Sequence, residues 1–198
     1  MRKENRPNRE IRFKDLNSDD VLDEQDRTKI GDPWPDFVYG LSLGATWKGF
    51  DFNVFFQGSQ GNDVLNMTLR DFESGTGTMN AREGFLNRAW NGEGSTDKYH
   101  RISAEQGQNS EISDYFVEDG SYLRLKNLQL GYNFCERLLK IKGISYLRLY
   151  VSAQNLFTLT KYSGLDPEIG SSNATLNGID QGFYPQARTW TVGLNIKF

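Results

Sequence analysis

The closing decapeptide, Thr189 to Phe198 (T-W-T-V-G-L-N-I-K-F), constrains the fold more than any other stretch. Trp190, Val192, Leu194, Ile196 and Phe198 share one parity; Thr189, Thr191, Gly193, Asn195 and Lys197 share the other. Successive side chains of a β-strand point to opposite faces, so this pattern describes a strand with one greasy face and one polar face. Two environments satisfy it. In a soluble sandwich the apolar set enters a core; in a membrane barrel it faces lipid while the small and polar set faces the lumen. The pattern alone does not choose between them.

The same alternation recurs upstream. Gly31-Asp32-Pro33-Trp34-Pro35-Asp36 is a rigid linker whose prolines forbid helix. After it Phe37, Tyr39, Leu41, Leu43, Ala45 and Trp47 line one face of a strand over 37–47. Lys48-Gly49 predicts a two-residue hairpin turn, glycine supplying the positive φ. The return strand, 50–58, sets Phe50, Phe52, Val54 and Phe56 against Asp51, Asn53, Phe55 and Gln57, so Trp47 and Phe50 are expected to meet on the apolar face. A strand over 122–134 changes phase: Leu123 and Leu125 have one parity, Leu128, Leu130, Tyr132 and Phe134 the other. A bulge at Lys126-Asn127 restores both groups to one face. Over 145–160, Leu147, Leu149, Val151, Ala153, Phe157 and Leu159 oppose Tyr146, Arg148, Tyr150, Ser152, Gln154 and Thr158, with Asn155 and Leu156 breaking the pattern.

The connections alternate in length. Lys48-Gly49 and the basic Cys135–Gly143 segment are short; Gln60–Asp119 and Lys161–Ala187 are long. The first long segment lacks strand periodicity and predicts only short helices over 66–72 and 81–90. Such loops are uncommon inside compact soluble domains, whereas outer-membrane barrels set short turns at one rim and long loops at the other. The expected fold is all-β: an antiparallel transmembrane β-barrel segment of five strands, 37–47, 50–58, 122–134, 145–160 and 189–198, with long extracellular loops and residues 1–36 as a further loop. Barrels need about eight strands, and open edges leave backbone groups that lipid cannot satisfy. The chain is therefore expected to be the C-terminal piece of a larger barrel.

Composition excludes several classes. No apolar run approaches the roughly 20 residues of a spanning helix. A mean hydropathy of −0.64 and 37% apolar content do not argue for a soluble chain, because a barrel strand needs an apolar residue only at every second position. A net charge of −3 gives no basic surface for nucleic acid. The lone Cys135 and lone His100 supply no intrachain disulfide, zinc cluster or Cys/His pair. No carboxylate pair stands in a context for acid–base work, so an enzyme is not expected. The charged N-terminus has no apolar segment behind it, and any export signal is expected to lie outside this chain.

Asp15–Asp26 (D-L-N-S-D-D-V-L-D-E-Q-D) carries a chemical motif. Asp15, Asn17, Asp19, Asp23 and Asp26 occupy positions 1, 3, 5, 9 and 12 of a calcium loop, and Val21 at position 7 offers a backbone carbonyl. Hard oxygens at this spacing suit a structural Ca2+ ion. Asp20 stands where glycine usually allows the sharp turn, and Asp26 is shorter than the usual glutamate. A solvated acidic turn explains the same residues, and both readings stand.

Several stretches together resemble the C-terminal part of a SusC/RagA-type TonB-linked outer-membrane transporter. They are I-R-F-K-D-L-N-S-D-D-V-L-D-E-Q-D-R-T-K-I-G-D-P-W-P-D-F (Ile11–Phe37), G-F-D-F-N-V-F-F-Q-G-S-Q-G-N-D (Gly49–Asp63), D-G-S-Y-L-R-L-K-N-L-Q-L-G-Y-N-F (Asp119–Phe134), L-R-L-Y-V-S-A-Q-N-L-F-T-L-T-K-Y-S-G-L-D-P-E (Leu147–Glu168) and G-I-D-Q-G-F-Y-P-Q-A-R-T-W-T-V-G-L-N-I-K-F (Gly178–Phe198). The resemblance implies a 22-stranded barrel with an N-terminal plug in the cell outer membrane. It also implies energy from a TonB complex acting on a part absent from this chain, a SusD-like surface lipoprotein as lid, and import of oligosaccharides or peptides. This fragment alone is then not transport-competent.

Thr191, Gly193, Ile196 and the terminal Phe198 resemble the C-terminal signal by which bacterial outer-membrane barrels are recognised for insertion. Trp90, Tyr99, Tyr162 and Tyr184, in the long loops, are candidates to stack on sugar rings or meet the lid protein; packing within the loops is the alternative. A calcium-stabilised secreted or surface β-sandwich adhesin is the rival from another class, opposed by the segregated loop lengths and the terminal aromatic.

Overall fold

The computed structural model describes residues 10–73, 80–96, 99–102, 108–134, 143–170 and 176–198. The expected basic connection, from Cys135 as far as residue 142, lies outside the described residues. The strands are β1 (Phe37–Trp47), β2 (Phe50–Gln60), β3 (Asp63–Asn66), β4 (Val117–Asp119), β5 (Tyr122–Phe134), β6 (Tyr146–Thr160), β7 (Ile179–Asp180) and β8 (Thr189–Lys197). They form two sheets, and the chain divides into two compact units that interleave along the sequence.

The unit made of Trp34–Asn62, Asp119–Glu168 and Tyr184–Phe198 holds a five-stranded antiparallel sheet in the order β1-β2-β5-β6-β8. Its register converts the alternation of each strand into transverse rows. Ala45, Phe52, Leu130, Val151 and Val192 make one row; Trp47, Phe50, Tyr132, Leu149 and Leu194 make the next but one. Between them lies Thr46, Asp51, Gly131, Tyr150 and Gly193 on the opposite face. Local chemistry sets this register. Lys48 and Gly49 both take positive φ, 47° and 91°, which closes the β1–β2 turn with Trp47 paired to Phe50. The β5 phase slip is resolved by a bulge at Lys126: Leu125 pairs Phe56 and Leu128 pairs Val54, so all the leucines share the apolar face. On β6 the break falls at Asn155, whose φ is 52°.

Among the described residues, no second layer covers most of the apolar face. Trp47 is 68% exposed, Leu149 43%, Leu194 55% and Val192 72%, while Val54 and Ala153 are buried. Transfer of each such large side chain out of water is worth roughly 1.5–3 kcal/mol, so a bare face of this size is far from what a water-soluble monomer tolerates. Aromatic rings cluster toward the turn end: Phe50 and Tyr132 lie 4.6 Å apart and Tyr132 and Phe134 4.9 Å apart.

The other unit comprises Met1–Pro33, Asp63–Glu118 and Ile169–Phe183. Sequence periodicity reads its long segment as loop with two short helices; the structure adds a small sheet in the order β4-β3-β7, with β3 and β7 parallel through Leu65–Ile179 and Asn66–Asp180. These strands are too short to show a period. Helix α1 (Met67–Glu73) starts where the Asn66 side chain accepts the Leu69 N–H at 2.8 Å. Helix α2 (Phe85–Arg88) is much shorter than the expected 81–90, because Gly84 sits at φ 72° and Ala89 turns extended at ψ 149°. The core gathers Val64, Phe85, Ala89, His100 and Phe116, with the His100 ring 5.5 Å from Phe85 and 5.7 Å from Tyr115. Tyr115 donates to Glu73 at 2.7 Å, and burial first, then that carboxylate, pushes the phenol's pKa up.

Candidate functional site: the polar face of the sheet

On the polar face, charged side chains are paired across strands. Arg148 on β6 donates to Asp51 on β2 at 2.5 and 2.9 Å, reaching over the intervening β5. The reach is possible because Gly131 lies between them: a Cβ there would stand 2.5 Å from an Asp51 oxygen and 2.7 Å from Arg148 Nη2. Asn133 adds a 3.2 Å hydrogen bond to Asp51. In the same row the Tyr150 ring covers Gly193, where any Cβ would collide with it.

A second cluster gathers around Arg124, a β5 residue only 2% exposed. Its guanidinium donates to Asp166, to Glu168 at 2.7 Å and to the Thr158 hydroxyl at 2.8 Å. Lys126 binds Glu168 at 2.7 and 2.9 Å, and Asp166 also accepts the backbone N–H groups of Glu168 and Gln186, both at 2.9 Å. Burial raises the Asp166 pKa, but the Gln186 N–H, Arg124 and the Glu168 N–H outweigh it and hold the carboxyl below its usual value. The cluster fastens the segments around 161–168 and 185–188 to the polar face and leaves a cavity of about 400 Å3 bordered by Arg124, Thr158, Gln186 and Arg188.

Neither cluster is evident from sequence. The available signal is that Asp51, Arg124 and Arg148 stand at polar-parity positions of otherwise greasy strands; their partners, up to 97 residues away, follow only from the pairing register.

In the Asp15–Asp26 loop the carboxylates accept backbone N–H groups. Asp15 takes those of Ser18 and Asp20 at 2.6 and 2.9 Å, Asp19 that of Val21 at 2.8 Å, and Asp26 those of Leu16 and Asp23 at 2.7 and 3.0 Å. The Leu16 N–H, followed by that of Asp23, holds the Asp26 pKa down. Among the described residues no three acidic, His or Cys side chains converge on a common point that would hold a metal ion. In this arrangement the loop's carboxylates are engaged by its own backbone N–H groups. Closing the turn engages the same oxygens that the spacing offers to an ion.

The four candidate loop aromatics differ in setting. Trp90 is half-buried, its backbone N–H bonded to the His100 backbone carbonyl at 3.2 Å. Tyr99 packs 6.1 Å from Phe85, with Arg88 over its ring. Tyr162 is buried, whereas Tyr184 is 91% exposed. Thr191, Ile196 and the terminal Phe198 are exposed and Gly193 is half-buried.

No protein-family model matches the chain. Individual proteins do. TonB-dependent receptor P3 of Formosa agariphila is 42% identical over 192 residues, an alignment that covers 94% of this chain and 19% of that protein. TonB-dependent receptor SusC of Bacteroides thetaiotaomicron is 34% identical over 195 residues, covering 94% of this chain and 17% of SusC. The structure of the RagAB peptide importer in its open-open state superimposes with a TM-score of 0.71 at 31% identity, over 83% of this chain and 17% of that one. This chain is homologous to the SusC/RagA-type TonB-dependent receptors.

The chain thus spans about a fifth of the length of the curated relatives it matches. TonB-dependent receptors are integral outer-membrane β-barrels and transporters, not enzymes. The five-stranded sheet corresponds to part of such a barrel, which accounts for an apolar face without a covering layer. The soluble sandwich alternative is set aside: it requires both sheets' apolar faces to pack inward.

Proposed function

We propose that this chain is the C-terminal wall of a SusC/RagA-type transporter whose barrel has 22 strands, and that the complete protein imports oligosaccharides or peptides under a SusD-like lipoprotein lid, driven through TonB. The observation that carries the reading is the one-sided sheet, with apolar rows Ala45, Phe52, Leu130, Val151, Val192 and Trp47, Phe50, Tyr132, Leu149, Leu194 on one face and the paired charges on the other. The peptide cargo and the partner in the RagAB structures are properties of that complex; homology at 31% identity supports the class of system for this chain. On this reading β1 and β8, the sheet's outer strands, pair with neighbours from the rest of the receptor, the long loops face outward, and Thr191, Gly193, Ile196 and Phe198 guide insertion. Of the loop aromatics Trp90, Tyr99, Tyr162 and Tyr184, exposed Tyr184 is the one placed to meet ligand or lid, and buried Tyr162 packs within its loop.

The decisive experiment has two arms. Brominated lipids around the complete receptor quench fluorescence from Trp47 and Trp190 when these are the remaining tryptophans, and deletion of the receptor gene abolishes growth on the imported nutrient. Unquenched tryptophans at both positions refute the lipid-facing wall.

A structural calcium ion on Asp15, Asn17, Asp19, Val21, Asp23 and Asp26 is a second reading. What favours it is Asp20, whose φ of 62° supplies the left-handed turn that calcium loops need at position six. Binding requires Asp15, Asp19 and Asp26 to exchange N–H donors for the ion.

A further inference from the structure

The Arg124 cluster is balanced in charge: Arg124 and Lys126 face Asp166 and Glu168, and each of the four is engaged by another member. The cavity beside it is not balanced. Arg188 borders it, exposed, with no ion-pair partner among the described residues. Three polar side chains that line the space, Asn155, Thr158 and Gln186, have hydrogens to donate. Thr158 accepts from Arg124 Nε, which leaves its own hydroxyl hydrogen to point elsewhere. Asn155 uses one amide hydrogen on the Ala187 carbonyl at 3.1 Å and keeps the other. The Gln186 side chain has no hydrogen-bond partner among the described residues, and its backbone N–H already fixes it against Asp166. Asp166, the lining carboxylate, is covered by Arg124 and two N–H groups. A cavity of about 400 Å3 accommodates one sugar ring or one amino-acid side chain. Tyr184, 91% exposed, immediately precedes the lining residue Pro185 in sequence.

We propose that this cavity is a carboxylate subsite on the polar face, in which Arg188 pairs with an acidic group of the passing ligand while Thr158, Asn155 and Gln186 donate hydrogen bonds to it. Arg presents a planar fork matched to a carboxylate, and such charge-assisted bonds are roughly twice as strong as neutral ones. The neutralised Arg124 cluster acts as the rigid floor that positions Thr158 and Gln186. The inference rests on the transport reading for its biological setting, since only a ligand inside the receptor meets this face. The carboxylate has two chemically equivalent sources, a uronic acid in an oligosaccharide or an acidic side chain in a peptide.

The test uses the purified complete receptor in detergent and two matched pairs of labelled probes: trigalacturonate with trigalactose, and Gly-Glu-Gly with Gly-Gln-Gly amide, followed by fluorescence anisotropy. The expected result is that the charged member of at least one pair binds about tenfold more tightly than its neutral match, equivalent to about 1.4 kcal/mol. Arg188→Gln brings that ratio close to one, whereas Arg188→Lys keeps part of it. The pair that responds names the source. Arg188 is exposed, so its replacement leaves the fold intact, and the heat-modifiable band on a gel verifies this. Equal affinity for charged and neutral probes, a preference that survives Arg188→Gln, or no binding of any probe overturns the subsite. Failure of the transport reading is separate: it shows as unchanged nutrient uptake when the receptor is deleted, whatever the binding ratio.

Discussion

Asp51 and Arg148 occupy strands that never pair, yet their side chains meet at 2.5 and 2.9 Å above Gly131 of the strand between them. The glycine is the third participant in the ion pair, because any larger residue fills the path of the guanidinium.

Gly131→Val is therefore expected to separate the pair and to leave two half-desolvated charges, lowering stability of the complete receptor by roughly 1–3 kcal/mol. Asp51→Asn, which keeps the shape and some hydrogen bonding, is expected to cost less. Thermal conversion of the folded, fast-migrating band in detergent measures both. Equal melting of Gly131→Val and the native protein removes the spacer role.

Removing Arg124 should be more severe. Arg124→Ala strands Asp166 and Glu168 against the sheet, and an uncompensated buried charge typically costs about 3–5 kcal/mol. The expected local result is release of the segment around Leu165 and Pro167, seen as new proteolytic cleavage there while the strands stay protected. Arg124→Lys, which cannot reach three acceptors in a fork, should fall between the two.

The same segment carries a pH dependence. The folded Asp166 carboxyl has a pKa below its unfolded value of about 3.9. A carboxyl depressed by folding contributes stability that is fully present above the unfolded pKa and is lost as pH falls through the folded one. Hydrogen exchange of the Glu168 and Gln186 amides, corrected for intrinsic rates, is expected to be slow near neutrality and to quicken only below about pH 4. Loss of protection between pH 6 and 7 would contradict this assignment.

Gly193 separates two explanations of the C-terminal strand. If it lies beneath Tyr150 for steric reasons, Gly193→Ala lowers assembly in the outer membrane and Gly193→Ala/Tyr150→Ser recovers it. If it belongs only to a recognition signal, the second substitution does not help. Phe198→Ala, with no such partner, is expected to reduce assembly in either background.

For the Asp15–Asp26 loop, calcium is expected to raise protease resistance of this segment in the intact receptor, and Asp15→Ala to abolish the increase. Identical cleavage in calcium and in chelator leaves the N–H-bonded acidic turn as the whole account.

Much of the sheet was legible beforehand because its signal is local. A two-residue turn with Lys48 and Gly49 at positive φ, the phase slip repaired at Lys126 and the irregularity at Asn155 each involve neighbours in sequence. The small β4-β3-β7 sheet was not legible, since runs such as Ile179–Asp180 are shorter than one period of alternation. Apolar spacing over 81–90 predicts a longer helix than α2 because it does not register the left-handed backbone of Gly84.

By itself, then, the order of residues determined that the strands are one-sided and which residues share each side, because a period of two is written directly in the chain. Tertiary structure decided which side chains on the polar face neutralise each other, that Arg124 ties the 161–168 segment to the sheet through Asp166 and Glu168, and that Arg188 borders a cavity with no ion-pair partner among the described residues. Those outcomes depend on cross-strand register and loop return, which bring together residues such as Asp51 and Arg148, 97 positions apart. No local pattern encodes a distance of that kind.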